Sequence, residues 1–219
     1  MKCLLCDSTI VYSPTWQALL LRNREEPVCK KCKAEFAEIK EPRCGICGLP
    51  GSTLCTDCSY WETTEYRGCI DAGMGLYQYN EAMKTFLHRY KFLQDVELSR
   101  VFAEEVKRSL RKPRGVVVPI PMHASKLRER TFPQVDRLLD AAEINYRHFL
   151  IKSNSTQGTK TKKERMAVEN LFAWNGEAVP KKILLVDDLY TTGTTLRQAA
   201  KTLKDAGAEE IRIWTLIRS

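Results

Sequence analysis

The stretch Ile183-Leu184-Leu185-Val186-Asp187-Asp188-Leu189-Tyr190-Thr191-Thr192-Gly193-Thr194-Thr195 decides the reading of this chain. Its unbroken apolar run predicts a strand buried on both faces, and hence a parallel sheet flanked by helices. The run ends in two acids, turns through hydroxyl-bearing residues around one glycine, and opens into the helical pattern Thr194–Ala206, closed by Gly207. Ligands of open α/β sheets collect at the carboxyl ends of strands. A helix start offers free N–H donors and the positive end of the helix dipole, which suit a phosphate. Thr191, Thr192, Thr194 and Thr195 add hydroxyl donors, and Gly193 lets the backbone approach closely. Asp187 and Asp188 can accept from vicinal sugar hydroxyls, or share a hydrated Mg2+ with them. A plain turn before a capped helix accounts for one acid and one threonine, but not for two acids and four threonines. The segment is neither Gly-x-Gly-x-x-Gly nor Gly-x-x-x-x-Gly-Lys-Thr, which sets aside the dinucleotide and P-loop readings.

The flanking pattern from about residue 66 onward is also α/β. Ile211–Ile217 predicts the last strand, Gly115–Ile120 a second buried parallel strand, and Gly73–Tyr79 and Phe149–Ile151 shorter ones. Glu81–Lys91 predicts a helix with Met83, Phe86, Leu87 and Tyr90 on one face. Leu98–Leu110 predicts a second helix, ended by Arg111-Lys112-Pro113-Arg114, and Pro133–Ala142 a third with Val135, Leu138 and Leu139 inward. The polar, basic segment Ser153–Lys163 predicts a mobile loop. Two basic clusters follow predicted strands: Lys126, Arg128 and Arg130, then Lys160, Lys162, Lys163 and Arg165. They suit a ligand carrying pyrophosphate, nucleic-acid phosphates, or simply a solvated surface.

With 219 residues, 43% apolar and 28% charged, the chain can hold a standard domain plus a small module. No stretch approaches the roughly 18 consecutive apolar residues of a membrane span. The opening Met1-Lys2-Cys3-Leu4-Leu5-Cys6-Asp7 has no apolar core or small-residue cleavage site, so no secretory signal and a cytoplasmic location are expected. The net charge of +8 permits phosphate-rich partners without identifying one.

Eight of the nine cysteines form four Cys-x-x-Cys pairs before residue 60. Without an export signal a disulfide framework has no support, and metal ligation is the better account. Each knuckle supplies two thiolates, half of a tetrahedral zinc site, so two Zn2+ per chain are expected. Seven residues separate Cys44/Cys47 from Cys55/Cys58. That proximity pairs Cys44, Cys47, Cys55 and Cys58 on one ion and Cys3, Cys6, Cys29 and Cys32 on the other, with a cross-brace exchange left open. Redox chemistry is set aside, because four such motifs occur without a thioredoxin-like context. The composition shift near residue 60 predicts a Cys-rich zinc module over 1–62 and an α/β domain over 63–219. Arg22, Arg24, Lys30, Lys31 and Lys33, with Trp16, Phe36, Tyr60 and Trp61, could form a single-strand-binding surface; alternatively the aromatics form the module's own small core. Cys69 is expected to be buried. His88, His123 and His148 are dispersed and make no metal pair.

The acidic strand end with its Thr-Thr-Gly turn resembles the phosphoribosyl-pyrophosphate (PRPP) signature of type I phosphoribosyltransferases. That resemblance implies that Asp187 and Asp188 contact ribose hydroxyls and that Thr191, Thr192, Gly193, Thr194 and Thr195 cradle a 5′-phosphate. It further implies a pyrophosphate loop after Val116–Ile120, a flexible loop around Lys160–Arg165, and Mg2+ with the ligand. Together with the N-terminal Cys-Leu-Leu-Cys-Asp, the knuckle at Cys44–Pro50, Val118-Pro-Ile-Pro and the ending Thr-Leu-Ile-Arg-Ser, these residues resemble the ComF family of competence proteins, in its ComFC form. This resemblance implies handling of internalised single-stranded DNA in natural transformation, beside a helicase-like ATPase of the ComFA type. An active phosphoribosyltransferase, moving ribose-5-phosphate from PRPP to an unknown acceptor, is the alternative it leaves. Where the family commonly reads Arg-Gly-Phe-Asn-Gln, this chain reads Arg130-Thr-Phe-Pro-Gln134, which favours binding of the ligand over its turnover.

Overall fold

A computed structural model describes residues 1–11, 26–152 and 171–219. Its centre is a four-stranded, wholly parallel sheet in the order β1-β6-β5-β2, built from β1 (Ala72–Gln78), β2 (Val116–Pro119), β5 (Lys182–Tyr190) and β6 (Glu210–Arg218). Ile183, Leu184, Leu185 and Val186 are all buried, as the unbroken apolar run requires. Leu184, Val186, Trp214 and Leu216 enter one core cluster, and Ile183, Leu185, Ile211 and Ile213 the other, following the two-residue period of a strand.

Helices cover both faces. Helix α3 (Glu81–Lys91) buries Met83, Phe86, Leu87 and Tyr90, as its spacing predicts, and Asn80 caps it by accepting from the Met83 amide at 2.9 Å. Each such apolar side chain contributes about 1.5–3 kcal/mol on full burial. Helix α7 (Thr194–Asp205) packs Leu196, Ala199, Ala200 and Leu203 on the opposite face. Among the described residues, no helix is long and apolar enough to cross a membrane.

Three elements differ from their sequence reading. In place of one helix over 98–110, a 3-10 helix (Val96–Phe102) precedes α4 (Ala103–Ser109). Asp95, which could have capped an α-helix, is instead held by Arg89 at 2.9 Å, and the first turn closes from the Leu98 amide to the Asp95 carbonyl. The expected strand at 149–151 is β3 (Leu150–Lys152), which lies outside the main sheet and pairs antiparallel with β4 (Phe172–Trp174). The segment after β2, read as a loop, forms helix α5 (Ala124–Arg130), capped by His123. It buries no residue and so left no apolar period to read. At its end Thr131 takes a left-handed conformation (φ 65), which a glycine would adopt without strain. Helix α6 (Gln134–Ala141) follows, with Val135, Leu138 and Leu139 inward.

Side chains of the cysteine-rich segment enter both core clusters. Cys3, Val28, Cys32 and Phe36 join the α3 side, and Cys44, Cys47, Cys55 and Cys58 the α7 side. The free edge of β1 is covered by this segment: the Ile39 amide donates to Leu76 O, and the Gln78 amide to Ala37 O, both at 2.8 Å.

Candidate functional site

Strand β5 runs past its apolar core to Tyr190, so Asp187 and Asp188 sit at the carboxyl end of the sheet. The chain then turns through Thr191 and Thr192, and Gly193 (φ 82) opens α7 without a capping side chain of its own. A Cβ at Gly193 would lie 2.1 Å from the Tyr190 hydroxyl and 2.3 Å from Arg197 Nη1, so only glycine fits. Thr192 and Thr194 hydroxyls lie 3.0 Å apart. The acids, the turn and the helix start thus share one corner, as the sequence reading expects.

The cations that oppose the two acids, Lys91 and Lys152, are residues the sequence reading did not single out. Asp188, only 8% exposed, is paired with Lys91 Nζ at 2.6 Å, from the last residue of α3. Asp187 Oδ1 accepts from the Asp188 amide at 2.9 Å. Burial, and then the Asp188 charge, push the Asp187 carboxyl up to about 7, against the pull of Lys91 and Lys152. Burial in turn pushes Lys152 of β3 down, aided by Lys126 and opposed by Asp187. Two acids therefore face cations contributed by α3 and β3.

The remaining basic candidates divide. Lys126 and Arg128 are exposed on α5. Arg130 turns inward, donating to Gln134 Oε1 at 3.3 Å and lying over the Phe92 ring at 5.6 Å. Lys160, Lys162, Lys163 and Arg165 lie outside the described residues, as do Trp16, Arg22 and Arg24. Phe36 is buried against Tyr77, Phe86 and Phe102 of the α/β half, so it belongs to the main core rather than to a small core of the module's own, and no base can stack on it. Lys30, Lys31 and Tyr60 are exposed, and Lys33 pairs with Glu105 at 2.7 Å.

The eight knuckle cysteines gather as Cys3/Cys6/Cys29/Cys32 and Cys44/Cys47/Cys55/Cys58, each set with its sulfurs within 4.8 Å of one another. This is the pairing that their separation in sequence favours, without a cross-brace. Cys6 and Cys29 sulfurs lie 3.8 Å apart, and Cys47 and Cys55 3.5 Å. Four sulfurs at the zinc–thiolate distance of about 2.3 Å have edges of about 3.8 Å, so both sets fit that ion. In each, one knuckle is a tight turn and the other begins a short helix, α1 (Lys30–Ala34) or α2 (Thr56–Trp61). Backbone amides support the sulfurs: Cys29 N donates to Cys3 Sγ at 3.3 Å, and Cys58 N to Cys55 Sγ at 3.5 Å. A zinc ion held by four thiolates would have no position left for water, as in structural rather than catalytic sites. Cys69 is buried apart from them, as expected.

The second set is tied to the corner of Asp187, Asp188 and the threonine turn. Arg197 of α7 donates to Cys58 Sγ at 3.3 Å and to the Tyr190 hydroxyl. Trp61 of α2 donates from Nε1 to Thr192 O at 2.9 Å, and Arg218 of β6 to Thr191 O at 3.0 Å. The Cys47 thiol is held down at about 4, chiefly by a hydrogen bond with Cys58; burial opposes this, and Leu49 and Arg218 are lesser contributors.

A sequence profile of the phosphoribosyl transferase domain matches residues 94–219. Competence protein ComFC of Streptococcus pneumoniae is 37% identical over 223 residues, covering 100% of both chains. Competence protein ComFC of Bacillus subtilis is 37% identical over 227 residues, covering 99% of this chain and 95% of the relative. Competence protein F of Haemophilus influenzae is 26% identical over 212 residues, covering 88% of this chain and 90% of the relative.

Proposed function

Because the chain belongs to the ComFC family of competence proteins and carries its phosphoribosyl transferase domain, we propose that it is a cytoplasmic protein of natural transformation that handles single-stranded DNA and binds a 5′-phosphoribosyl ligand at the end of β5. The observation that carries the ligand assignment is the meeting of Asp187 and Asp188 with the start of α7, where Gly193 leaves the helix without an N-cap side chain. In this reading the two carboxylates accept from the ribose hydroxyls. The loop amides and the hydroxyls of Thr191, Thr192, Thr194 and Thr195 donate to the 5′-phosphate. Lys126 and Lys152 offset the charge of a pyrophosphate, which Mg2+ accompanies when bound. Zn2+ occupies both cysteine sets and holds the fold around the site. A ComFA-type ATPase is the protein partner this family membership suggests. A transferase reaction, moving ribose-5-phosphate to an acceptor with release of pyrophosphate, is the second reading, favoured by the profile match over residues 94–219.

Calorimetry with PRPP and Mg2+ tests the ligand assignment. Replacing Asp187→Asn together with Asp188→Asn should weaken binding at least 100-fold while the zinc content stays at two per chain. Absence of binding to the unaltered chain, or equal binding to the double variant, would remove the assignment. For DNA, affinity for a single-stranded oligonucleotide should fall steeply with salt, because phosphate contacts release counterions at about 0.7 per contact. An affinity indifferent to salt, or none at all, would count against DNA handling and leave a protein-binding role.

A further inference from the structure

Arg197 and Arg218 are buried at 1% and 2% exposure. A buried guanidinium needs fixed anionic or dipolar partners, or the cost of removing it from water stands uncompensated. Arg218 has Asp57 of α2 at 3.3 Å. The partners of Arg197 are instead the Tyr190 hydroxyl and a sulfur, Cys58 Sγ at 3.3 Å, with the Trp61 ring centroid 4.9 Å from its guanidinium. Four thiolates around a divalent ion form a dianion, and the enclosed guanidinium of Arg197 offsets part of that charge.

The same side chains hold three successive residues of the phosphate turn. Arg197 holds the Tyr190 hydroxyl, Arg218 the Thr191 carbonyl at 3.0 Å, and Trp61 the Thr192 carbonyl at 2.9 Å. Asp57, Cys58 and Trp61 all lie on the short helix α2, whose start is the knuckle itself. We propose that the metal centre at Cys44, Cys47, Cys55 and Cys58 sets the geometry of the phosphate turn through Arg197, a positioning residue seconded by Arg218 and Trp61. Loss of the ion frees the sulfur that orients Arg197, and Arg197 then ceases to fix Tyr190 against Gly193. Among the described residues the other centre has no such link to the turn: Arg89, which donates to Leu4 O and Leu5 O at 3.0 Å each, leads back to α3 and Asp95. The inference takes from the proposed function only the identity of the ligand.

The test uses the full zinc-loaded chain. Amide hydrogen exchange over residues 190–197 and the rate of zinc release are measured for the unaltered chain, Arg197→Met, Arg197→Lys and Cys6→Ser. Arg197→Met should speed exchange in the turn at least 10-fold and release one of its two zinc ions about 10- to 100-fold faster, the usual range for loss of a group that orients a ligand. Arg197→Lys keeps a cation near Cys58 but cannot span to Tyr190, so it should retain zinc and still lose protection in the turn. Cys6→Ser should lose zinc from the other centre with the turn unchanged. Exchange and zinc release in Arg197→Met equal to those of the unaltered chain would overturn the proposal. So would a turn loosened equally by Cys6→Ser. If Arg197→Met fails to fold, unchanged turn exchange in Arg197→Lys serves as the overturning result. PRPP affinity in Arg197→Lys should drop about 10-fold. Failure of the unaltered chain to bind PRPP would count against the ligand assignment but leave the exchange and zinc readouts decisive.

Discussion

Removing both metal ions from the zinc-loaded chain is expected to abolish its cooperative thermal transition. The cysteines are part of the core: Cys3 and Cys32 lie with Phe36 and Phe102, and Cys44, Cys47, Cys55 and Cys58 with Ile183, Leu185 and Leu196. Without an ion, four sulfurs within 4.8 Å of one another lose the attraction that holds them together. Structural zinc is worth about 10–16 kcal/mol in zinc-finger peptides, against a typical folding stability of about 5–15 kcal/mol. The loss should come in two steps. Cys6 is exposed, whereas every sulfur-bearing residue of the second set is buried, so the first set should yield its ion to a chelator first. Circular dichroism melts during a chelator titration, with released zinc counted in parallel, check both steps. A fully chelated chain that melts with unchanged midpoint and steepness would show that the sulfurs pack without an ion.

What could be read from the residues follows the range over which each signal acts. Strand β5 and helix α7 were legible because an apolar run, an acid pair and a closing glycine are local. The cysteine sets were legible because each knuckle is a local turn and the separations favour one pairing. Helix α5 was not, since it buries nothing and periodicity reports only burial. Lys91 and Lys152 lie on a helix end and a short strand, where a lysine is ordinarily solvated; only the tertiary fold turns them toward Asp188 and Asp187. Arg197 was hidden for the same reason. A helical arginine one turn after a glycine carries no mark of burial, and its sulfur partner Cys58 belongs to the other half of the chain. The acids and threonines could be found from sequence, whereas the groups that hold them in place could not.

Lys91→Met is expected to destabilise the ligand-free protein by about 3–5 kcal/mol near pH 8, and by clearly less near pH 5. The pair it breaks is enclosed, with side chains 13% exposed for Lys91 and 11% for Asp188, so the methionine leaves a carboxylate in the interior without its cation. The pH dependence comes from the neighbour. Asp187 is pushed up to about 7, by burial first and by Asp188 second. An acid raised on folding contributes stability that is complete below its ordinary pKa of about 4 and is lost as pH rises through the folded value. Near pH 5 Asp187 is protonated in both chains, and only the Lys91–Asp188 pair is at stake. Above pH 7 the unaltered chain carries two enclosed negative charges opposed by Lys91 and Lys152, and the variant opposes them with Lys152 alone. Removing Lys91 also raises Asp187 further, so the decline in stability extends to higher pH in the variant. Adding Asp188→Asn to Lys91→Met removes one of the stranded charges and should restore part of the loss, giving a coupling energy of the order of 1–3 kcal/mol in the double-mutant cycle. Chemical denaturation of the four chains at both pH values provides the measurement. A deficit equal at pH 5 and pH 8, or additive effects of the two substitutions, would mean that Lys91 and the acid pair are solvated independently, and that the corner is not a preformed site for a charged sugar.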